Sequence, residues 1–407
     1  MNAHLKVNEV LLSPLAPQSQ PASVSVGKAR IAIVHYWFVS RRGGERVVEA
    51  MAEMFPQADL FALVVDPDQL PLSLRNRRIQ TSFLQKLPGA TRMHKRLLPL
   101  YPLALEQFDL SGYDLVISSE SGPAKGVLTG GRTCHICYCH SPMRYLWDFY
   151  HHYRHGNSFG ALSRPVFTLA AHYLRMWDAA SAGRVDHFVA NSRTVAARIR
   201  KHYRRDSTVI YPPVNVAAGY LSNHIEDYFL VVSQLVDYKR VDLAIAACNR
   251  LGLPLRIVGD GEQFQRLRKL AGPTVSFLGP LSDSDLWKQY AHCRALLFPG
   301  EEDFGIVPVE ALSFGRPVIA FGRGGATETV AGFYPDFPAA PENCSGVFFK
   351  EQTVESVVEA IRAFESSENC FDPVQIRQQA KCFDQAHFKN NLGSFVSDSL
   401  KQFQEMQ

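Results

Sequence analysis

The sequence predicts an α/β fold built from two successive parallel-sheet halves. Three observations carry that prediction. Short apolar runs alternate with amphipathic stretches nearly throughout; the runs are rich in Val and Ile and apolar on both faces, as buried parallel strands are; and the alternation happens twice, on either side of Tyr211-Pro212-Pro213-Val214. A chain of 407 residues exceeds one ordinary domain, and two consecutive prolines force an extended, stiff link between its halves.

In the first half the strand candidates are 31–38, 60–65, 114–118, 135–139, 187–191 and 208–211. In the second half they are 228–233, 255–258, 275–278, 295–298 and 317–321. Helix-period stretches fall between them at 44–54, 194–203, 241–251, 283–292 and 354–365. In open parallel sheets, ligands bind at the carboxyl ends of the strands, so the loops that follow these runs are where chemistry is expected.

Composition narrows the function classes. The hydrophobic fraction of 46% supports sizeable cores, and a net charge of +4 is too mild for bulk nucleic-acid binding. No apolar run reaches the length of a membrane span. Residues 1–28 carry scattered Pro, Ser, Gln and Ala and read as a disordered extension. The eight cysteines lie at irregular spacing, which points to reduced thiols in a cytosolic protein. The cluster Cys134, His135, Cys137, Cys139 and His140 has zinc-like residue types, but strand alternation sends Cys137 and Cys139 to one face and Cys134 to the other, a poor tetrahedral set. His151, His152 and His155 have few carboxylates nearby, and no metal or other cofactor is expected.

The most informative segment is Glu302-Asp303-Phe304-Gly305-Ile306-Val307-Pro308-Val309-Glu310, two carboxylates with seven residues between them. Pro308 suits an early helical position, and Gly315 with Pro317 ends the helix before the run Val318-Ile319-Ala320-Phe321. The loop therefore feeds a helix N-terminus, where free backbone N–H groups and the helix dipole favour an anion. Glu302 and Glu310 flank that anion site as acceptors for hydroxyls, an arrangement that suits a sugar nucleotide. Earlier in the same half, Lys239 follows a strand and could reach a diphosphate as a point charge, with Arg240 beside it. Gly259 and Asp260 open another turn after a strand, and Gly322-Arg323-Gly324-Gly325 a third.

The string EDFGIVPVEALSFGRPVIAFGRGG resembles the E-x7-E segment of retaining glycosyltransferases of the GT-B fold, the large family 4. The resemblance runs from about Arg30 to the C-terminus. It implies two Rossmann-like domains whose sheets face across a cleft. The expected limits are 29–213 for an acceptor-binding domain and 214–384 for a nucleotide-sugar-binding domain. Residues 385–407 form a last helix crossing back to the first domain. On this resemblance Glu302 binds hydroxyls of the donor hexose, Phe304, Gly305 and Ile306 present N–H groups to sugar or diphosphate, and Glu310 binds the ribose. The family usually carries Arg where this chain has Gln234, so one cation is absent and Arg240 is a candidate to replace it.

In the first half, Gly43-Gly44 resembles the family's N-terminal glycine loop, which approaches the diphosphate from the opposite domain. Tyr138-Cys139-His140-Ser141-Pro142-Met143-Arg144-Tyr145-Leu146-Trp147-Asp148 resembles the active-site histidine segment of mannosyltransferase-like members, with His140 at a strand's carboxyl end. The subfamily closest in flavour uses GDP-mannose in bacterial surface and exopolysaccharide assembly. It implies a polyprenyl-diphosphate-linked saccharide as acceptor. A UDP-sugar-dependent transferase, a sugar-nucleotide epimerase and a non-catalytic saccharide-binding subunit are the alternatives.

Between Gln69 and Leu105 there is no acid, whereas Arg75, Arg77, Arg78, Lys86, Arg92, Lys95 and Arg96 lie among Phe83, Leu84, Leu87, Leu97, Leu98, Leu100 and Tyr101. Such a segment suits anionic lipid headgroups, and with them a peripheral position on the cytoplasmic face of the inner membrane.

Overall fold

The computed structural model describes residues 27–40, 43–155, 163–337 and 339–407. The extension expected at the N-terminus falls almost wholly outside the described residues, as do Arg41, Arg42 and the side chains of His152 and His155.

Two seven-stranded sheets form, and every strand pairing given is parallel. The first sheet contains β1 (Ile31–Phe38), β2 (Asp59–Val65), β3 (Ile79–Thr81), β4 (Leu115–Glu120), β5 (Cys134–Cys139), β6 (His187–Ala190) and β7 (Thr208–Val209), in the order β3-β2-β1-β4-β5-β6-β7. The second contains β8 (Phe229–Val232), β9 (Leu255–Val258), β10 (Val275–Gly279), β11 (Ala295–Phe298), β12 (Val318–Phe321), β13 (Gly332–Phe333) and β14 (Gly346–Phe349), in the order β10-β9-β8-β11-β12-β14-β13. In each sheet the order reverses once beside the first strand, between β1 and β4 and between β8 and β11. Those reversals are the topological switch points where open sheets bind ligands.

Each strand foreseen from the sequence forms, within a few residues of its expected ends. Three were missed. β3 is a short edge strand with Gln80 and Thr81 exposed, and β13 and β14 are four residues or fewer. None is long enough to show a period. A 19-residue helix at Ser163–Ser181 was also missed. Its outward face carries Val166, Leu169, Tyr173 and Met176, so the apolar pattern does not mark one buried stripe.

The chain crosses from the first half to the second and back along adjacent paths. After β7, Pro212 and Pro213 lead to Val214, whose N–H donates to the Phe383 carbonyl at 3.0 Å, and Val214 bridges Asp384. The Asp384 carboxylate then caps the helix Gln385–Glu405 by accepting from the Gln385 N–H at 2.6 Å. That helix buries Phe388, Leu392, Val396 and Leu400 against Ile33, Leu115, Ile136 and Tyr138 of the first sheet. On β5 the side chains alternate: Cys134, Ile136 and Tyr138 join this core, while Cys137 and Cys139 face Phe188 and Ile199 on the other side. The eight cysteines are free thiols.

Candidate functional site

The loops after β1, β5, β8 and β11 converge on one cleft of about 540 Å3 between the two halves. After β1 the chain enters the helix Gly43–Met54, and after β11 it enters the helix Ile306–Ser313. The two N-termini meet. A Cβ built on Gly43 would lie 2.7 Å from Ile306 Cδ1, and one on Gly44 would lie 3.3 Å from the Tyr36 hydroxyl and 3.6 Å from His140 Nε2. Any larger residue at Gly43 would have to move the end of the Ile306 side chain, and each helix start adds N–H groups without intrahelical acceptors. The dipoles of both helices place partial positive charge in the same space.

On the second-half side, Gly305 takes φ +89°, a left-handed conformation that turns the loop into its helix. Phe304 is buried, with its ring against Tyr211 and Phe383 at 5.6 Å each, which anchors the loop while its backbone lines the cleft. Glu302 forms an ion pair with Lys239, and both line the cleft. Glu310 is held by two donors: Arg46 from the first half at 2.7 Å and the Tyr290 hydroxyl at 2.9 Å. Gly259 and Asp260 also line the cleft; Gly259 has φ +125°, and a Cβ there would strike the Ser233 carbonyl at 2.0 Å, so glycine lets the β9 turn lie flat on the β8 turn.

On the first-half side, His140 follows β5 and its Nε2 pairs with the Ser119 hydroxyl at 2.9 Å. Its backbone N–H donates to the Glu120 carbonyl at 2.6 Å. Burial pushes the His140 pKa down to about 4, so the imidazole is neutral at physiological pH. His35 lies next to it on β1, with Nδ1 3.1 Å from the Ser119 carbonyl, and burial with the neighbouring His140 lowers it to about 3. Beneath these residues sits a fully buried charge cluster. Lys125 pairs with Asp178 and lies 3.6 Å from Glu120, while Asp178 also accepts from Trp147 at 2.7 Å and from Tyr203. Burial raises the Glu120 carboxyl to about 7, against the opposing pull of Lys125. The cluster ties β4, the segment after β5 and two helices together, and so fixes the strand ends that carry His140.

Of the residues singled out in the sequence, Gly43, Gly44, His140, Lys239, Gly259, Asp260, Glu302, Phe304, Gly305, Ile306 and Glu310 line this one cleft. Arg240 does not. It takes a left-handed conformation (φ 51°) and turns to Asp242 in its own helix, with Nε–Oδ1 at 3.2 Å and Nη2–Oδ2 at 3.3 Å. It lines a neighbouring depression with Phe149, Asp237 and Arg266 instead of this cleft. In the Gly322–Gly325 turn the glycines serve packing. Gly325 N–H donates to the Glu302 carbonyl at 2.8 Å, and a Cβ at Gly325 would overlap the Phe304 backbone at 2.2 Å, so this turn buttresses the acidic loop from behind.

Sequence reasoning missed Tyr36, Arg46, Arg144, Asn191 and Asp303 as cleft residues. Arg46 follows Gly43-Gly44-Glu45 by one position, a nearby signal. Lys125 and Asp178 carry none, because a buried ion pair contributed by distant segments leaves no local pattern. Further contacts join the halves. The Glu328 carboxylate accepts from the N–H groups of Arg193 at 2.8 Å and Thr194 at 2.9 Å, and Arg198 pairs with Asp303.

The architecture is that of a GT-B glycosyltransferase. Solved structures share it: Anabaena HepE in complex with UDP-glucose superposes with a TM-score of 0.65 over 90% of this chain and 99% of that one, at 16% identity. Sucrose-phosphate synthase from Thermosynechococcus elongatus gives 0.65 over 91% and 98%, also at 16% identity. Two family models match adjoining segments, "Glycosyltransferase Family 4" over residues 41–218 and "Glycosyl transferases group 1" over residues 218–382. The chain belongs to this glycosyltransferase family. Among curated relatives, it is 27% identical over 204 residues to the human alpha-1,3/1,6-mannosyltransferase ALG2, covering 40% of this chain and 48% of that one. It is 32% identical over 112 residues to the Escherichia coli O-antigen chain mannosyltransferase C, covering 26% and 30%. The chain spans about half the length of the first curated relatives it matches.

The site's buried groups set a pH dependence of stability. His35, His135 and His140 have folded pKa values of about 3, 4 and 4, each lowered chiefly by burial from an ordinary 6.5. Their contribution is complete above about 6.5 and is lost as pH falls toward 4. Glu120, raised from 4.5 to about 7, acts oppositely between those values. Near pH 5.5 unfolding should take up about two net protons from these four groups, a slope of roughly 2–3 kcal/mol per pH unit. Denaturant midpoints from pH 7 to 5 measure this, and a flat profile contradicts it.

Proposed function

We propose that the protein is a retaining mannosyltransferase. It moves a mannosyl group from GDP-mannose to a polyprenyl-diphosphate-linked saccharide in exopolysaccharide or surface polysaccharide synthesis. The observation that carries this reading is the meeting of two helix N-termini at Gly43 and Ile306, with Lys239, Glu302 and Glu310 around them. A nucleoside diphosphate fits such a space, because its charge meets amides and dipole ends, while the hydroxyls of hexose and ribose meet the two carboxylates. The mannosyltransferase relatives support the hexose, and the O-antigen relative supports a polysaccharide setting.

In the proposed reaction the bond from the hexose anomeric carbon to the β-phosphate oxygen breaks, and a bond to the acceptor oxygen forms on the same face. The acceptor proton passes to the departing phosphate. Charge developing on that phosphate is stabilised by preorganised amides, the helix dipoles and Lys239. Neutral His140 hydrogen-bonds the sugar instead of donating a proton, consistent with a lowered pKa.

The acceptor's lipid would bring the protein to a membrane surface. No described helix is long and apolar enough to cross a bilayer. Of the basic segment, Arg75, Arg78, Lys86, Arg92, Lys95 and Arg96 are exposed, whereas Arg77 turns inward to the carbonyls of Ala52 and Ala58, and Leu84 and Tyr101 belong to the core. Leu87, Met93, Leu100 and Leu103 remain exposed there. The helix Ser163–Ser181 lies alongside, joined through Trp177 to Glu106 at 2.9 Å, and exposes Val166, Leu169, Tyr173 and Met176 at helical spacing. An apolar stripe beside a basic surface fits an anionic bilayer.

A UDP-sugar is the competing donor, since Anabaena HepE was solved with UDP-glucose. Thermal-shift measurements with GDP-mannose, UDP-glucose and their free nucleotides should show the largest rise with GDP-mannose. Transfer to a lipid-linked saccharide should release GDP, and His140→Ala should lower turnover by about 10²–10³-fold, the scale of losing one transition-state contact. Near-normal turnover removes His140 from the mechanism, and a response only to UDP-sugars overturns the donor. Converting Lys86, Arg92, Lys95 and Arg96 to Gln should weaken binding to anionic vesicles by on the order of 100-fold, at about 1 kcal/mol per charge with partial loss. Unchanged binding contradicts the membrane surface.

A further inference from the structure

Three cations among the described residues line the cleft: Arg46, Arg144 and Lys239. Two are already matched to carboxylates, Arg46 to Glu310 at 2.7 Å and Lys239 to Glu302. Arg144 is different. Its Nη1 lies 3.7 Å from Asp303, while its Nε and Nη2 are buried and have no hydrogen-bond acceptor. The guanidinium carbon sits 4.0 Å from the centre of the Phe149 ring and 5.5 Å from that of Tyr238, which holds the group in a fixed plane.

Nε and Nη2 form the side-on fork of an arginine, the edge that grips two oxygens of one phosphate or carboxylate in parallel. Elsewhere in this protein that edge is filled: Arg294 uses Nε and Nη2 on the two oxygens of Glu368 at 3.2 and 2.8 Å, and Arg240 uses them on Asp242. Two buried donors left unpaired are unfavourable, and an arriving anion would pair both. Directly after β8, Gln234 lines the same cleft and brings no charge.

Resting on the nucleotide-sugar reading, we propose that Arg144 is a phosphate-oxygen site. Its Nε–Nη2 edge takes two non-bridging oxygens of the donor diphosphate from the first-half side, joining the charge that Lys239 brings from the second half. The aromatic rings of Phe149 and Tyr238 orient the fork, and Tyr238 adjoins Lys239, so a phosphate held by Arg144 is also within the field of that lysine. The same fork chemistry would fit the diphosphate of a lipid-linked acceptor, and the experiment separates the two sources.

Calorimetric titrations of wild type, Arg144→Gln and Arg144→Lys with GDP, UDP, guanosine, inorganic pyrophosphate and geranyl diphosphate test this. Losing a charge-assisted bidentate contact should weaken GDP or UDP and pyrophosphate by about 10- to 100-fold and leave guanosine unchanged, with Arg144→Lys intermediate because it restores charge without the fork. Weakening of geranyl diphosphate alone overturns the donor assignment and moves the fork to the acceptor. Unchanged affinity for every phosphate probe overturns the site. Wild type that binds pyrophosphate but neither nucleotide contradicts the donor reading, while the variants still report on the fork. Arg144→Gln should fold normally, since Asp303 keeps its partner Arg198, and a preserved thermal midpoint checks that.

Discussion

The approach of Gly43 to Ile306 is the constraint on which the rest of this structure depends. With no side chain at Gly43, the start of a first-half helix reaches the start of a second-half helix, and the positive ends of both dipoles share one space. A methyl group at Gly43 would have to displace the Ile306 side chain, and one at Gly44 would press on Tyr36 and His140. The sheets set this up. Each reverses its strand order beside its first strand, and both reversals open toward the other half.

Electrostatics around that contact are balanced by pairing. Lys239 holds Glu302, and Arg46 holds Glu310 across the cleft. On the proposed reading a nucleotide sugar exchanges these partners: phosphate oxygens take the cations, and hydroxyls donate to the released carboxylates. Opposite charges face each other in the cleft, and all four side chains are only partly buried. Arg144 is only half matched: its Nη1 faces Asp303 at 3.7 Å, while its Nε and Nη2 are buried beside the Phe149 and Tyr238 rings without an acceptor. Beneath the cleft, the Lys125–Asp178–Glu120 cluster is wholly buried and satisfied, and it ties the end of β4 to the helix Ser163–Ser181.

Much of the fold was legible in the sequence, because buried parallel strands are continuous apolar runs and the double proline marks where the pattern restarts. The acidic loop was legible for the same reason: Gly305, Pro308 and Gly315 punctuate a helix start and stop. What failed is equally physical. Arg240 sits one residue beyond Lys239, but a left-handed backbone and Asp242 turn it away, and neither is visible from spacing. The Gly322–Gly325 turn has the composition of an anion loop, yet close packing on Phe304 gives its glycines another purpose. Arg144 lies inside the Tyr138–Asp148 motif, but an unfilled hydrogen-bonding edge exists only in three dimensions. The Ser163–Ser181 helix hid because its outward face also carries Val166, Leu169, Tyr173 and Met176.

The central claim is that both halves build one diphosphate site at their facing helix N-termini. A crystal structure of the protein with GDP bound measures it directly. The account places the diphosphate within hydrogen-bonding distance of the Gly43–Gly44 and Gly305–Ile306 backbone, with Glu310 released from Arg46 to the ribose. A diphosphate seated away from both helix starts, with the Arg46–Glu310 pair intact, would contradict it.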